Sequence, residues 1–246
     1  MAGIYVHIPF CRRACHYCDF HFTTNLKRSS ELVDSVVAEI GVQASYLENE
    51  HIRTIYFGGG TPSLLPTKEI DRILNEISKT QSVGSQIELT LEANPEDLTV
   101  DKLRELKSIG INRLSLGTQS FIDRELIWMN RMHKSEEAIK CISNAQNLGF
   151  NNISIDLIFG LPDQTVEDWE FNLKTALQLD IQHVSSYGLT VEEKTVLSYR
   201  IQKGEQPPPN EAASARFFEM NMEFFPAQGF EHYEISNFAR EGFISK

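Results

Sequence analysis

The sequence predicts an α/β protein whose parallel strands form an open, partial barrel. Three observations carry that expectation. Short apolar runs alternate with helix-patterned segments six times, β-branched and aromatic residues dominate the runs, and polar residues gather at their C-terminal ends. Repeats of this kind give parallel strands joined by right-handed crossovers. Six units fall short of the eight that close a full barrel of about 250 residues. A doubly wound open sheet also carries its site at strand C-termini, so the polar residues alone leave both architectures open.

The strands are expected at residues 4–8, 52–57, 87–92, 113–117, 153–159 and 182–187. Between the first two, Leu32, Val33, Val36, Val37, Ile40, Ala44 and Leu47 recur at helical spacing. Ile70, Ile73, Leu74 and Ile77 make the next stripe, followed by Leu103 with Leu106, and then Ile139, Ile142 and Leu148. Gly110 and Gly149 stand where a helix-ending glycine belongs, and Thr165 with Asp168 reads as a capping box. After the sixth strand the rhythm changes. Helices are expected at 195–201 and 212–225, with Pro207, Pro208 and Pro209 between them, and a last strand at 230–235. Residues 237–246 show no clear period. The expected organisation is a core barrel over residues 1–190 and a C-terminal extension over 191–246 that leads into a further domain.

Composition narrows the class. Of 246 residues, 41% are hydrophobic and 23% charged, which excludes an intrinsically disordered chain. Asp plus Glu number 34 against 23 Lys plus Arg, a net charge of −11, which argues against gripping nucleic acid through the net field. No run approaches the roughly 18 apolar residues of a transmembrane helix. Residues 1–10 lack a basic region ahead of an apolar stretch, so no secretory signal is read and a cytoplasmic, reducing location is expected.

Three of the four cysteines fall within eight residues. Cys11, Cys15 and Cys18 form a C-x3-C-x2-C run on a loop directly after the first strand. Thiols this close in a reducing compartment read as metal ligands. One iron–sulfur cubane would take one sulfur per iron, leaving the fourth iron without a thiolate. The competing reading is a Cys3His zinc site using His16 or His21. Cys141 lies in a helical stripe and reads as a small core side chain. The second motif is Gly58-Gly59-Gly60-Thr61-Pro62 after the second strand. It reads either as a tight turn or as a ligand cradle whose amide N–H groups point outward. It lacks the Lys-Ser/Thr pair of a nucleotide triphosphate loop. Third, Glu92, Gln119 and Asp156 stand at or near successive strand ends. A carboxylate there can take both hydroxyls of a ribose, and a charge inside the apolar run 153–159 is costly unless paired or facing a ligand.

Together these motifs resemble the radical S-adenosylmethionine superfamily and, within it, the coproporphyrinogen III oxidase-like branch. The resemblance rests on Tyr5-Val6-His7-Ile8-Pro9-Phe10-Cys11 through Cys18-Asp19-Phe20, the glycine run, and Glu92-Ala93-Asn94-Pro95. It continues through Gly117-Thr118-Gln119-Ser120, Asp156 with Gly160-Leu161-Pro162, and Tyr233-Glu234-Ile235-Ser236-Asn237-Phe238, all in the same order. It implies a three-quarter (β/α)6 barrel with a [4Fe–4S] cluster on Cys11, Cys15 and Cys18. The open iron would chelate the amino and carboxylate groups of S-adenosylmethionine. Tyr17 would lie by its adenine, and Gly59, Gly60 and Thr61 would meet its methionine amino end. Tyr5, Glu92, Gln119, Arg131, Asp156 and Thr190 match further contact positions. In the oxidases, some of these positions serve a second S-adenosylmethionine molecule.

One departure bears on function. The oxidases carry a fourth cysteine two residues after the third, and here that position is Phe20. The Cys-Asp-Phe ending resembles instead the HemW-type haem chaperones. That branch implies haem as cargo and a haem-acceptor protein as partner, with peripheral membrane contact left open and no catalytic residue named. The alternative is an oxygen-independent coproporphyrinogen III oxidase, which oxidatively decarboxylates its substrate to protoporphyrinogen IX. The family also continues past the position of Lys246, with a His-Asn-containing stretch and a C-terminal domain.

Overall fold

A computed structural model describes residues 2–47 and 50–246. Six parallel strands follow one another across a single sheet: β1 (Ala2–Ile8), β2 (Ile52–Gly59), β3 (Val83–Ala93), β4 (Arg113–Gln119), β5 (Ile153–Phe159) and β6 (His183–Gly188). Each pairs with the next in sequence, and the spatial order never reverses. A doubly wound sheet needs a reversal at its switch point, so this order selects the partial barrel. Right-handed crossovers then keep the helices on one face.

The helices between the strands are α1 (Ser29–Val42), α2 (Thr67–Thr80), α3 (Val100–Ser108), α4 (Asp123–Trp128), α5 (Ser135–Asn147) and α6 (Val166–Gln178). Ile70, Ile73, Leu74 and Ile77 are the buried stripe of α2, as their spacing predicts. The capping box of α6 is present: the Thr165 hydroxyl accepts from the Asp168 amide at 3.2 Å, and the Asp168 carboxylate accepts from the Thr165 amide at 2.9 Å. Gly110 and Gly149 adopt φ of +95° and +81°, the left-handed conformation that favours glycine after a helix. Two expectations need correction. Helix α1 ends at Val42, so the stripe through Ala44 and Leu47 overshoots it, although Leu47 still packs on the core. The six residues of α4 escape periodicity because so short a helix shows barely one repeat of its apolar face.

Beyond β6 come α7 (Val196–Gln202) and α8 (Glu211–Ala227), then a hairpin of β7 (Glu231–Glu234) and β8 (Asn237–Ala239). Strand β8 pairs antiparallel with β6 and extends the barrel sheet. Residues 237–239 were expected to lack structure, because three residues are too few to display alternation. What seats them is Phe238, fully buried and packed on Phe225 at a ring separation of 4.7 Å. A buried polar bridge ties the extension further into the barrel. The Trp169 indole N–H on α6 donates to Asn221 Oδ1 on α8 at 3.0 Å, and Asn221 Nδ2 donates to Ser186 Oγ on β6 at 3.0 Å. Cys141 is buried in the core on α5.

Phe238 is the hairpin's fully buried apolar anchor. Phe238→Ala should cost about 3–5 kcal/mol in urea denaturation. In the same hairpin, exposed Ile235→Ala should stay within about 0.5 kcal/mol of the wild type. Equal effects of the two would refute the anchoring role of Phe238.

Candidate functional site

Strand alternation sorts side chains between two environments. On β4, Leu114 and Leu116 face the apolar core, while Arg113, Ser115, Gly117 and Gln119 line a cleft of about 580 Å³ inside the barrel. On β5, Ile155 and Leu157 go to the core and Asp156 to the cleft. Tyr56 from β2, Glu92 from β3, and His183, Ser185 and Tyr187 from β6 complete the polar lining. The size is that of a small-molecule site.

The loop carrying the three cysteines closes one wall of this cleft, and distant segments hold it there. Gly60 N donates to Ile8 O at 2.9 Å and Thr61 N to Phe10 O at 2.7 Å. Cys11 N donates to Thr23 O at 3.0 Å, and His16 N to Met129 O at 3.2 Å. The Asn130 side-chain amide donates to Ala14 O at 2.7 Å, and Leu197 N to His16 O at 2.8 Å. Arg12 pairs with Asp97 at 2.8 Å, and Ser63 donates to the other oxygen of that carboxylate at 3.1 Å.

Each sulfur faces a hydrogen-bond donor. Thr61 Oγ1 donates to Cys11 Sγ at 3.5 Å, and Arg131 Nη1 to Cys15 Sγ at 3.4 Å. The Phe20 backbone amide donates to Cys18, and the Tyr17 hydroxyl bonds to Cys15. Burial pushes the Cys11 thiol up, with Thr61 opposing, and pushes Cys18 up to about 11. Donors aimed at three neighbouring sulfurs suit thiolate ligands to an iron–sulfur cluster. The zinc alternative fits less well. Neither His16 nor His21 lines the cleft, and His16 Nδ1 is engaged with Trp128 O at 2.8 Å.

The glycine run works differently from the outward-pointing amides that the sequence suggests. Gly59 N donates to Glu92 Oε2 at 3.0 Å, and the Gly60 and Thr61 amides serve the first strand's exit. A Cβ on Gly60 would stand 2.7 Å from Phe10 O, so the glycine permits backbone-to-backbone contact between the exits of β1 and β2. The run braces the cysteine loop.

Glu92 also accepts from the Tyr56 hydroxyl at 2.8 Å, and burial raises its carboxyl above the usual range. Gln119 ends β4 at a register irregularity, with φ of +65°. A non-glycine residue in that region is strained, and such strain concentrates at functional sites. Arg131 is oriented by Gly117 O at 2.7 Å and by Asn94 Oδ1. Thr190 sits on the cleft lining, exposed. Tyr5 stands apart: it lies outside the lining and bonds His7 Nδ1 at 3.1 Å. The remaining residues singled out in the sequence, Cys11, Cys15, Tyr17, Cys18, Gly59, Gly60, Thr61, Glu92, Gln119, Arg131 and Asp156, share the cleft. Sequence reasoning missed Tyr56, Asn94, Arg113 and His183. The available signal was alternation within strands: Arg113, Ser115, Gly117 and Gln119 are every second residue.

His183 is held neutral, its pKa lowered to about 3 by burial and by Arg113. Its ring bonds Ser154 Oγ and the Tyr233 hydroxyl, both at 2.7 Å, and so clamps β5, β6 and β7 together beneath the cleft.

A parallel sheet curled around a polar lumen, with three cysteines at one wall, defines a class. The chain belongs to the radical SAM superfamily, whose sequence pattern matches residues 5–176. Members of that superfamily work with a [4Fe–4S] cluster and S-adenosylmethionine. Among named relatives, the chain is 39% identical to the heme chaperone HemW of Bacillus subtilis, over 100% of this chain and 65% of that protein. It is 32% identical to HemW of Escherichia coli, over 98% of this chain and 63% of the relative. The solved structure of coproporphyrinogen III oxidase (HemN) from Escherichia coli, a radical SAM enzyme, superposes with a TM-score of 0.88 at 27% identity. That match covers 98% of this chain and 56% of the oxidase. The chain thus spans less than two thirds of the length of each of these proteins. No helix among the described residues is long and apolar enough to cross a membrane.

Asp156 is the most displaced carboxyl in the cleft. Burial and the charge of Glu92 push it up to about 7, against Arg113 and a hydrogen bond from Ser185. An unfolded aspartate titrates near 3.9. Between about pH 4 and 7 the folded state keeps a proton that the unfolded chain has released, so stability falls as pH rises through that window. Asp156→Asn should remove this loss. Its melting temperature should exceed the wild type's at pH 8, by about 2–4 °C per kcal/mol relieved, and the gain should vanish toward pH 4. A gain that is the same at both pH values would contradict the assignment.

Proposed function

We propose that this chain is the radical-SAM core of a haem chaperone. It holds a [4Fe–4S] cluster on Cys11, Cys15 and Cys18, binds S-adenosylmethionine in the barrel cleft, and belongs to a protein that takes up haem for transfer to an acceptor in the cytoplasm. The observation that carries this reading is the end of the cysteine loop. Cys18-Asp19-Phe20 puts a phenyl ring, 67% exposed, where the oxidase pattern has a fourth cysteine. A phenyl ring does no thiol chemistry, but it can flank a flat apolar macrocycle. The relatives named heme chaperones, at 32–39% identity over almost all of this chain, support the same branch.

When bound, the cluster supplies an open iron position and single-electron chemistry. The protein's own residues do the rest. Thr61, Arg131 and the Phe20 amide offer donors to the sulfurs. Glu92, steadied by Tyr56 and the Gly59 amide, keeps lone pairs for ribose hydroxyls. Gln119, Arg131, Asp156, Tyr17 and Thr190 line the same cleft, and Gly59, Gly60 and Thr61 would meet the methionine amino end. Residues 191–246 continue the barrel through α8 and the β7–β8 hairpin, whose β8 pairs with β6.

The competing reading, coproporphyrinogen III decarboxylation, is favoured by the close superposition on the oxidase. Two measurements decide. Anaerobic reconstitution should load iron and sulfide on the wild type, and Cys15→Ala should retain well under half of that iron. Full loading in all three single cysteine variants would remove the cluster from these positions. The full-length protein should bind haem in a spectroscopic titration and give no protoporphyrinogen from coproporphyrinogen III under anaerobic, reducing conditions. Multi-turnover decarboxylation would overturn the chaperone reading in favour of the oxidase.

A further inference from the structure

Two of the sulfur donors are linked through one side chain that touches no sulfur itself. Asn94 Oδ1 accepts from Arg131 Nη2, and Asn94 Nδ2 donates to Thr61 Oγ1 at 3.2 Å. The polarity of this chain is fixed by chemistry. A guanidinium can only donate, so the Asn94 carbonyl must face Arg131 and its NH2 group must face Thr61. The Thr61 hydroxyl, already accepting from Asn94, turns its single proton toward Cys11 Sγ, 3.5 Å away. The same asparagine, with Gly117 O, holds the guanidinium so that Nη1 reaches Cys15 Sγ at 3.4 Å.

Gly117 makes room for this arrangement. A Cβ there would lie 3.0 Å from Arg131 Nη2 and 3.1 Å from Asn94 Oδ1, pressing directly on their contact. Residue 94 follows β3 and residue 117 lies in β4, so adjacent strands of the barrel set the geometry.

We infer that Asn94 is a positioning residue that aims the Thr61 hydroxyl and the Arg131 guanidinium at two of the three cluster-ligating sulfurs, and thereby raises the cluster's reduction potential. The inference rests on the placement of the cluster on Cys11, Cys15 and Cys18. Reduction adds negative charge, part of it on the sulfurs, and hydrogen bonds to those sulfurs stabilise the reduced form. Removing Asn94 frees the hydroxyl to rotate and the guanidinium to drift, so the reduced cluster loses two donors through one substitution. Asn94→Asp separates the two donors. A carboxylate is acceptor only, so it draws the Thr61 proton to itself and away from Cys11 while keeping Arg131.

The test is a dye-mediated reductive titration followed by electron paramagnetic resonance. It uses the anaerobically reconstituted chain as wild type, Asn94→Ala, Asn94→Asp, Thr61→Val and the Asn94→Ala/Thr61→Val double variant, with iron and sulfide measured on each. Asn94→Ala should lower the midpoint by about a tenfold change in the reduction equilibrium, 59 mV for a one-electron couple. Asn94→Asp and Thr61→Val should also lower it. The double variant should fall short of the sum of its single shifts, because Asn94 acts in part through Thr61. If alanine does not hold the cluster, Gly117→Ala, which crowds the guanidinium from the neighbouring strand, carries the same expected drop. Fully loaded variants with the wild-type midpoint, or strictly additive shifts, overturn the inference while leaving the cluster in place. A wild type that takes up no iron overturns the cluster and this inference together.

Discussion

One-sided cover of the sheet is the constraint on which the rest of this structure depends. Six parallel strands in unbroken order, with their helices on one face, need apolar side chains only on that face. The opposite face curls inward and is free to be polar. Period-two alternation then writes both environments into every strand. Leu114 and Leu116 go to the core, while Ser115 and Gly117, between and after them, face the lumen. The same logic explains how Asp156 stands in the middle of Ile153–Phe159 without breaking the strand: its neighbours Ile155 and Leu157 supply the burial.

The cysteine loop is the least self-sufficient part of the site. It contains no helix or strand over residues 11–18, yet its backbone is held by Met129 and Asn130 just after α4 and by Leu197 of α7, while the β2 exit holds the residues that lead into it. Each of these contacts spans a long stretch of sequence and closes only when the barrel does. The glycine run belongs to this scaffold, since the absence of a Cβ at residue 60 lets the exits of β1 and β2 meet backbone to backbone. The sulfur-facing donors therefore come from residues 17, 20, 61 and 131, the last two far from the cysteines in sequence.

Legibility in the sequence followed the range of the interaction. The six strands, the capping box at Thr165 and the terminal glycines were readable because each is decided within a few residues. The spacing of Cys11, Cys15 and Cys18 was readable for the same reason. The short strand at Asn237–Ala239 was not, because its placement is decided by Phe238 finding Phe225 across the fold. The glycine motif is readable as a tight turn or a ligand cradle, but nothing local shows that the Gly59 amide is spent on Glu92. Asn94 was visible as part of Glu92-Ala93-Asn94-Pro95, while its role depends on Arg131 and Thr61 arriving from elsewhere.

The deep part of the cleft carries a charge balance that the overall composition hides. Arg113 and Arg131 face Glu92 and Asp156 inside a protein with a formal charge of −11. Arg113 is 2% exposed and draws the Glu92 and Asp156 carboxyls down, yet burial outweighs it at both. The result is an Asp156 carboxyl that takes its proton near neutrality, leaving the deep group with more cation than anion. The Nε atoms of Arg113 and Arg131 are buried without a protein partner. Arg131 spends its Nη atoms on the cysteine wall instead, Nη2 on Gly117 O and Asn94 Oδ1 and Nη1 on Cys15 Sγ.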